Sequence, residues 1–335
     1  MITSRLRDLA LDEPGRARQA LSAGAWTLLV LGGLLFVLPA VNVSLDDTLI
    51  RATPIVLTGL AVAVPARAGL VNIGGEGQLM IGMVFATGGA LALDDQLRAV
   101  VLLPVLAALG MLGGLLWIGI AAVLRVGAGV NEALSTLLLN FVAPLIVAYL
   151  VHGPWIDPLG FNVPLTREFA ESARLPVSGT TSQLHLGILL APAAALVVWM
   201  VLDFTRWGFR LGVVGANPEA ARRAGIAVRR NVVVALLAGG ALAGFAGMIE
   251  VTGVEGVLRP GIGFGLGYVG FLASWLVGHR PLGIVAAGLL LGSISVGGDA
   301  LQIDAGLPST SVYTVMALVL MLVLFIRGRL LSSGP

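Results

Sequence analysis

The chain has 335 residues, 57% of them hydrophobic and only 11% charged, with a net charge of +2 and a mean hydropathy of +0.98. Soluble domains carry about 25% charged residues, so composition alone indicates an integral membrane protein with no soluble domain of any size. The absence of cysteine excludes disulfides and zinc–thiolate sites, and the absence of lysine excludes the phosphate-holding lysine of a P-loop ATPase and Schiff-base chemistry.

Residues 1–24 read as an arginine-bearing amphipathic segment on the inner leaflet. A secretory signal before Leu38-Pro39-Ala40 is the alternative, and the long n-region with three acids weighs against it. A span needs roughly 20 apolar residues. The runs that qualify are 25–41, 49–66, 69–93, 99–124, 131–151, 185–204, 232–250, 264–278, 281–297 and 312–326. With the N-terminus inside, fifteen arginines fall on inner segments and only Arg51, Arg98, Arg167, Arg174 and Arg259 on outer ones. The pI near 9.6 reflects this one-sided distribution and does not suggest a nucleic-acid surface. The reading is an all-α integral membrane protein of about ten transmembrane helices, both termini cytoplasmic. Residues 25–330 form one transmembrane domain, with an external loop at 152–184 and a cytoplasmic loop at 205–231.

Three segments interrupt the apolar pattern. In the first, residues 66–78 (ARAGLVNIGGEGQ), glycines and the polar side chains Asn72, Glu76 and Gln78 open what would otherwise be a continuous span. Such backbone is tolerated at membrane depth only when buried in protein or lining a wet cavity. Glu76 is a functional candidate as an intramembrane carboxylate; the alternative is that Asn72 and Glu76 cap a helix that starts near the inner surface. In the second, residues 127–140 (GAGVNEALSTLLLN), Asn131 reads as an N-cap and Glu132 as a first-turn acid. Ser135, Thr136 and Asn140 then ride an otherwise apolar span; Asn131 with Ser135 and Glu132 with Thr136 are pairs four apart that share faces, to bind substrate hydroxyls or to tie helices together. Gly110 and Gly114, Gly240 and Gly244, and Gly288 and Gly292 suit close helix packing in lipid. The external loop, with Pro154, Pro158, Pro164 and Pro176, is large enough for a lid or a receptor-docking surface.

The most polar island is 205–231 (TRWGFRLGVVGANPEAARRAGIAVRRN). Its centre reads as a short capped helix, with Asn217 as N-cap and Pro218 at the first position. Glu219 sits at the positive end, Arg222 and Arg223 at the negative end, and Gly225 takes the left-handed position after it. A handle of this kind between spans suggests docking to a soluble partner. In the third interruption, Phe264, Tyr268, Phe271 and Trp275 form a helical stripe broken by Gly265, Gly267 and Gly270. It offers faces for a flat ring to stack on, or packs against lipid and helices. Segments 69–80 and 261–270 are a pair of Gly-broken spans, a pointer to a transporter's site, although the halves show no residue-level repeat. Glu250 and Glu255 are expected at the interface. His152, His185 and His279 are scattered, and neither a catalytic group nor a metal site is expected.

The ordered set VNIGGEGQLMIG, NEALSTLLLNF, GANPEAARRAGI, the Gly-rich aromatic span and GLPSTSVYTVMALVLML resembles permease subunits of bacterial ATP-binding-cassette importers. The similar group is the branched-chain amino-acid and ribose permease superfamily, in its nucleoside and simple-sugar branch. The likeness runs from about residue 50 nearly to the end. Ribose-type permeases usually carry a different Gly-Asp-rich opening where this chain has NIGGEGQ, which turns the reading toward nucleosides. The resemblance implies an ATP-driven importer in the cell inner membrane. Its partners would be a cytoplasmic ABC ATPase, a second permease subunit (heterodimer or homodimer) and an extracytoplasmic substrate-binding protein. ATP and Mg would sit on the ATPase, with no cofactor on this chain. Gly215, Asn217, Pro218, Glu219, Ala220, Ala221, Arg222, Gly225 and Ile226 would form the coupling helix, in which Glu219-Ala220-Ala221 is a reduced echo of the Glu-Ala-Ala pattern of older importer loops. Asn72, Glu76, Gln78, Asn131, Glu132 and Asn140 would face the pathway, joined by Phe264 and Tyr268 of the aromatic stripe. A monosaccharide or branched-chain amino-acid permease is the runner-up. A proton-coupled carrier working through Glu76 or Glu132 has no need of a docking helix. An intramembrane enzyme would need the Lys, Cys or His–acid constellation that the chain lacks.

Overall fold

The computed structural model describes residues 44–305 apart from 95, 161–162 and 178–183, together with 314 and 321; the side chains of 300–305 are not part of the description. The expected segment 1–24, the runs 25–41 and 312–326 and the motif GLPSTSVYTVMALVLML lie outside the described residues, apart from those two positions.

Ten α-helices are present among the described residues. Helix α1 (Leu45–Ala66) starts where Ser44 Oγ accepts from Asp47 N, with Asp46 and Asp47 at its positive end. Helix α2 is Gly75–Leu93, and α3 (Ala99–Ala128) ends at left-handed Gly129. Helix α4 (Glu132–His152) begins at Asn131, whose side chain accepts from Ala133 N and Leu134 N as expected. Then come α5 (Gly187–Phe204), α6 (Arg206–Ala216) and α7 (Pro218–Arg223). Helix α8 (Val228–Ile249) runs on through a π-turn at Glu250–Glu255, and α9 (Leu266–Leu276) and α10 (Pro281–Ala305) follow. The described residues contain no strand, only the isolated bridge Val177–His185.

Seven of these elements, α1 to α5, α8 with its π-turn, and α10, are long and apolar enough to cross a membrane. They coincide with seven of the eight expected runs that fall within the described residues. The eighth, 264–278, holds only the 11-residue α9, which is about 16 Å long and covers half of a hydrocarbon core of about 30 Å. The shortening follows from Gly261, Gly263 and Gly265, all at positive φ, which keep the preceding backbone out of the helix.

Helices α1, α2 and α8 form the buried centre, while α3, α4 and α5 turn apolar faces outward, including Leu116, Ile120, Leu138, Phe141 and Leu196. Lipid is as apolar as leucine, so the helices must be held by close contact. Glycine supplies it. A Cβ at Gly110 would lie 2.7 Å from Met248 Cβ and 2.9 Å from Gly244 O, and a Cβ at Gly114 would run into Gly240 O. Gly288 and Gly292 seat α10 on α1 in the same way, and a Cβ at the latter would lie 3.2 Å from Thr48 O and from Ala52 N. The paired glycines are packing surfaces.

One end of the bundle carries the ion pairs Arg51–Asp299 and Arg167–Asp94, the other Arg67–Asp203 and Arg125–Glu132. The second, arginine-rich end is the one the charge distribution reads as inner. At the arginine-poor end, segment 165–177 lies across the π-turn. Thr166 N donates to Leu258 O, Phe169 N to Gly256 O and Leu175 N to Thr252 O, at 2.9–3.0 Å. Glu250, expected at the interface, is instead buried among these elements at 4% exposure. Glu255 is at the surface and pairs with Arg259. A second departure is α6. Only the centre of 205–231 read as helical, yet Thr205 Oγ1 caps a further helix by accepting from Gly208 N, and Leu211 and Val214 form its buried stripe.

Candidate functional site

Two breaks in the helical pattern meet in the bundle. The first follows Pro65, where Gly69 turns left-handed at φ 74° and the chain runs irregularly to Gly74 before α2 begins. This stretch has no helical partners for its backbone, and α4 supplies them. Glu132, Thr136 and Asn140 stand four residues apart on one face of α4. Val71 N donates to Glu132 Oε1 at 3.3 Å, Ile73 N to Thr136 Oγ1 at 3.2 Å and Gly77 N to Asn140 Oδ1 at 2.9 Å. Asn140 Nδ2 donates to Ile73 O at 2.9 Å. Each orphaned N–H left buried would cost about 1–3 kcal/mol, so a polar ladder in an apolar span is what the break requires. Glu132 also holds Arg125 at 3.1 Å, which fixes the end of α3. Asn72 closes the loop from inside: its Nδ2 donates to Ala61 O, and it exchanges hydrogen bonds with Gln78 at 3.1 and 2.8 Å.

The second break is the run before α9. Its N-terminus has no side-chain cap of its own. Glu76 caps it from another helix: Gly265 N donates to Glu76 Oε1 at 2.6 Å and Gly267 N to Glu76 Oε2 at 2.8 Å. Glu76 is 1% exposed and sits in the first turn of α2. One carboxylate therefore lies between the positive ends of two helices, which explains how a charge is held at this depth. The approach is close enough that a Cβ at Gly267 would collide with the backbone of Glu76. Thr58 of α1 completes the junction, donating to Pro54 O and reaching Leu266 O, with Gly270 against it. Tyr268 follows Gly267 in the first turn of α9, and α4 and α9 together flank the start of α2.

The structure thus brings together Asn72, Glu76, Gln78, Glu132, Asn140 and Tyr268. Asn131 stands apart, exposed and occupied with capping α4. Phe264 lies at the rim, 61% exposed, and the rest of the aromatic stripe continues along α9, where Phe271 and Trp275 are 5.8 Å apart. Glu76 does act as a cap, but of α9; in its own helix it stands in the first turn without a cap hydrogen bond. Thr58 and Thr136 bear on the junction as much as the acids do. Thr136 carried a signal in its four-residue spacing from Glu132 and Asn140; Thr58 carried none, because its partner is 208 residues away.

At the arginine-rich end, α7 has the predicted architecture. Asn217 Oδ1 accepts from Glu219 N at 3.1 Å and Ala220 N at 3.0 Å, Pro218 opens the helix, and Gly225 is left-handed at φ 77°. Arg222 and Arg223 pair back to Glu219, and Ala221 packs α7 onto the bundle with no exposed surface.

A family model described as "Branched-chain amino acid transport system / permease component" matches residues 44–326. Among curated proteins, the "Glucose ABC transporter permease protein TsgB13" of Haloferax volcanii is 37% identical over 287 residues, 83% of this chain and 75% of that one. The "Guanosine ABC transporter permease protein NupP" of Bacillus subtilis is 34% identical over 300 residues, 86% and 84% of the two chains. The "Nucleoside ABC transporter permease protein NupB" of Lactococcus lactis is 28% identical over 285 residues, 83% and 78%.

Proposed function

The chain belongs to the branched-chain amino acid transport permease family, and from that premise we propose that it is the membrane subunit of an ATP-driven importer for nucleosides or related ribosyl compounds. It is a multi-pass membrane permease component. The observation that carries the importer reading is α7, a rigid capped helix with four charged or capping groups, presented at the arginine-rich end. The absence of lysine supports a separate ABC ATPase as the subunit that holds Mg and hydrolyses ATP. That ATPase docks on Gly215 to Ile226 at the cytoplasmic face of the cell inner membrane, with both termini on the same side. Closure of the ATPases moves α7 and shifts the bundle between outward- and inward-open states.

The pathway runs past the Glu76 junction on the side flanked by α4 and α9, which carry the exposed aromatics Phe141 and Trp275. A second permease closes that side. With two different permeases in the nucleoside branch, the pair is a heterodimer. An extracytoplasmic binding protein delivers substrate to the arginine-poor end, where segment 165–177 lies. The names of the guanosine and nucleoside permeases support the substrate class. The glucose permease at 37% identity favours a second reading, a monosaccharide.

Uptake of radiolabelled uridine or adenosine into cells with and without this chain tests the reading. Loss on deletion, with no effect of collapsing the proton gradient, is the expected result. Uptake that dies with the gradient would make the chain a secondary carrier, and glucose uptake in place of nucleoside uptake would select the sugar.

A further inference from the structure

A cavity of about 530 Å³ opens at the arginine-rich end between the loop at Gly69, the last turn of α3, the α6–α7 junction and the first turns of α8. Three arginines line it, Arg125, Arg222 and Arg229, and no acid does. Arg125 and Arg222 are answered from beside the cavity by Glu132 at 3.1 Å and Glu219 at 2.6 Å. Arg229 makes no ion pair among the described residues. Much of the remaining wall is apolar, with Val126 on α3 and Val232 on α8.

Two features set the depth of this cavity in the bilayer. Helix α3 has 30 residues, a length of about 45 Å against a hydrocarbon core of about 30 Å, so its final turn with Arg125 falls among the headgroups. Just before that turn Val123 is 71% exposed, so the cavity wall continues into a lipid-facing surface. Helix α6 supplies the second mark. On it Phe209 is exposed beside Arg206 and Arg210, with Phe204 exposed at the end of α5 just before it, the make-up of a helix lying in the interface.

We propose that this cavity seats the phosphate headgroup of an anionic phospholipid. Arg229 provides the uncompensated charge, Arg125 and Arg222 flank the phosphate, and Val126 and Val232 meet the glycerol and the first acyl carbons. Basic pockets between membrane helices at the inner face bind such headgroups. A lining of three arginines set among apolar residues and glycines, open toward α3, suits a molecule that is itself part phosphate and part hydrocarbon. An acidic side chain of a docked protein would satisfy the arginines and leave the apolar half unmet. Because Arg222 belongs to α7, the bound lipid braces the element proposed to couple to the ATPase.

The test uses the purified full chain, stripped of lipid, with phosphatidylglycerol as the probe and native mass spectrometry as the readout. The wild type binds it saturably and prefers it to phosphatidylcholine. Arg229→Ala weakens binding about five-fold, the effect of one basic residue at an anionic surface. Arg229→Lys restores binding, and Arg98→Ala at the opposite end leaves it unchanged. Equal binding by wild type and Arg229→Ala overturns the proposal. So does an Arg229→Ala variant that keeps its lipid but no longer co-purifies with the ATPase, a result that assigns the cavity to the protein partner.

Discussion

Glu76 shows how little freedom a single side chain has once two helices depend on it. Both carboxylate oxygens accept backbone N–H groups of the run into α9, at 2.6 and 2.8 Å. Glutamine keeps the size but offers one acceptor and turns an NH₂ donor toward one of those N–H groups. Glu76→Gln should therefore cost about 1–3 kcal/mol, the penalty of a buried unmet donor, and lower uptake while the ATPase still assembles. A variant with unchanged thermal midpoint and uptake would leave Glu76 without either role. His185, outside the spans, makes a pH prediction. It is 3% exposed, its Nδ1 accepts from Gly187 N at 3.1 Å, and burial pushes its pKa down from 6.5 to about 4. Between those values the released loop takes up a proton and the seated loop does not. Seating is thus fully stable above the upper value and weakens as pH falls through the window. The thermal midpoint of solubilised protein should fall on going from about pH 7 to about pH 5, and fall less in His185→Gln. Equal losses in the two proteins would exclude His185 as the cause.

At the scale of elements, what could be read in the sequence was what is written locally. The α7 cap is complete within nine residues, from Asn217 to Gly225, and every part of it appears in the fold as read. Its neighbour α6 was hidden because its buried face is only Gly208, Leu211 and Val214, too little apolar surface to stand out between two arginines. The polar ladder on α4 was visible as spacing, but its partners were not. They are backbone N–H groups 61–63 residues earlier, brought opposite by the packing of α2 on α4. Glu76 and Gly265 were seen as members of two broken segments and not as a bonded pair. If α7 is the coupling element, two changes of different kind should stop transport without unfolding the bundle. Ala221→Asp puts a carboxylate where no surface is exposed, and Gly225→Pro removes the positive φ and the N–H that donates to Arg222 O. Both proteins should insert normally yet lose most uptake and ATPase binding. Normal uptake by either would remove α7 from the coupling path. Packing has its own test: Gly240→Leu drives a side chain into Gly114 O and should cost at least the 1–3 kcal/mol of an overpacked core, read as a lower thermal midpoint.

Taken as a whole, the bundle is a closed mechanical loop. Helix α2 is held at its far end by Asp94, which receives Arg167 through both carboxylate oxygens at 2.9 and 3.0 Å, while Ser172 Oγ donates to Asp94 O at 2.8 Å. Segment 165–177 then bonds to 252–258, the chain continues to Gly265, and Gly265 bonds to Glu76 at the near end of the same α2. Movement at the arginine-poor end cannot leave the Glu76 junction untouched, because one run of chain joins them. Alternating access needs that end to open and close, so a bridge across the seam should halt the cycle. The cysteine-free chain makes the experiment clean. Thr166→Cys with Leu258→Cys, joined directly as a disulfide across these hydrogen-bonded positions, should abolish uptake until it is reduced, while each single variant treated identically keeps it. Unimpaired uptake in the bridged protein would mean that the seam is fixed scaffold, and would shift the moving boundary to the faces of α4 and α9 that flank the junction.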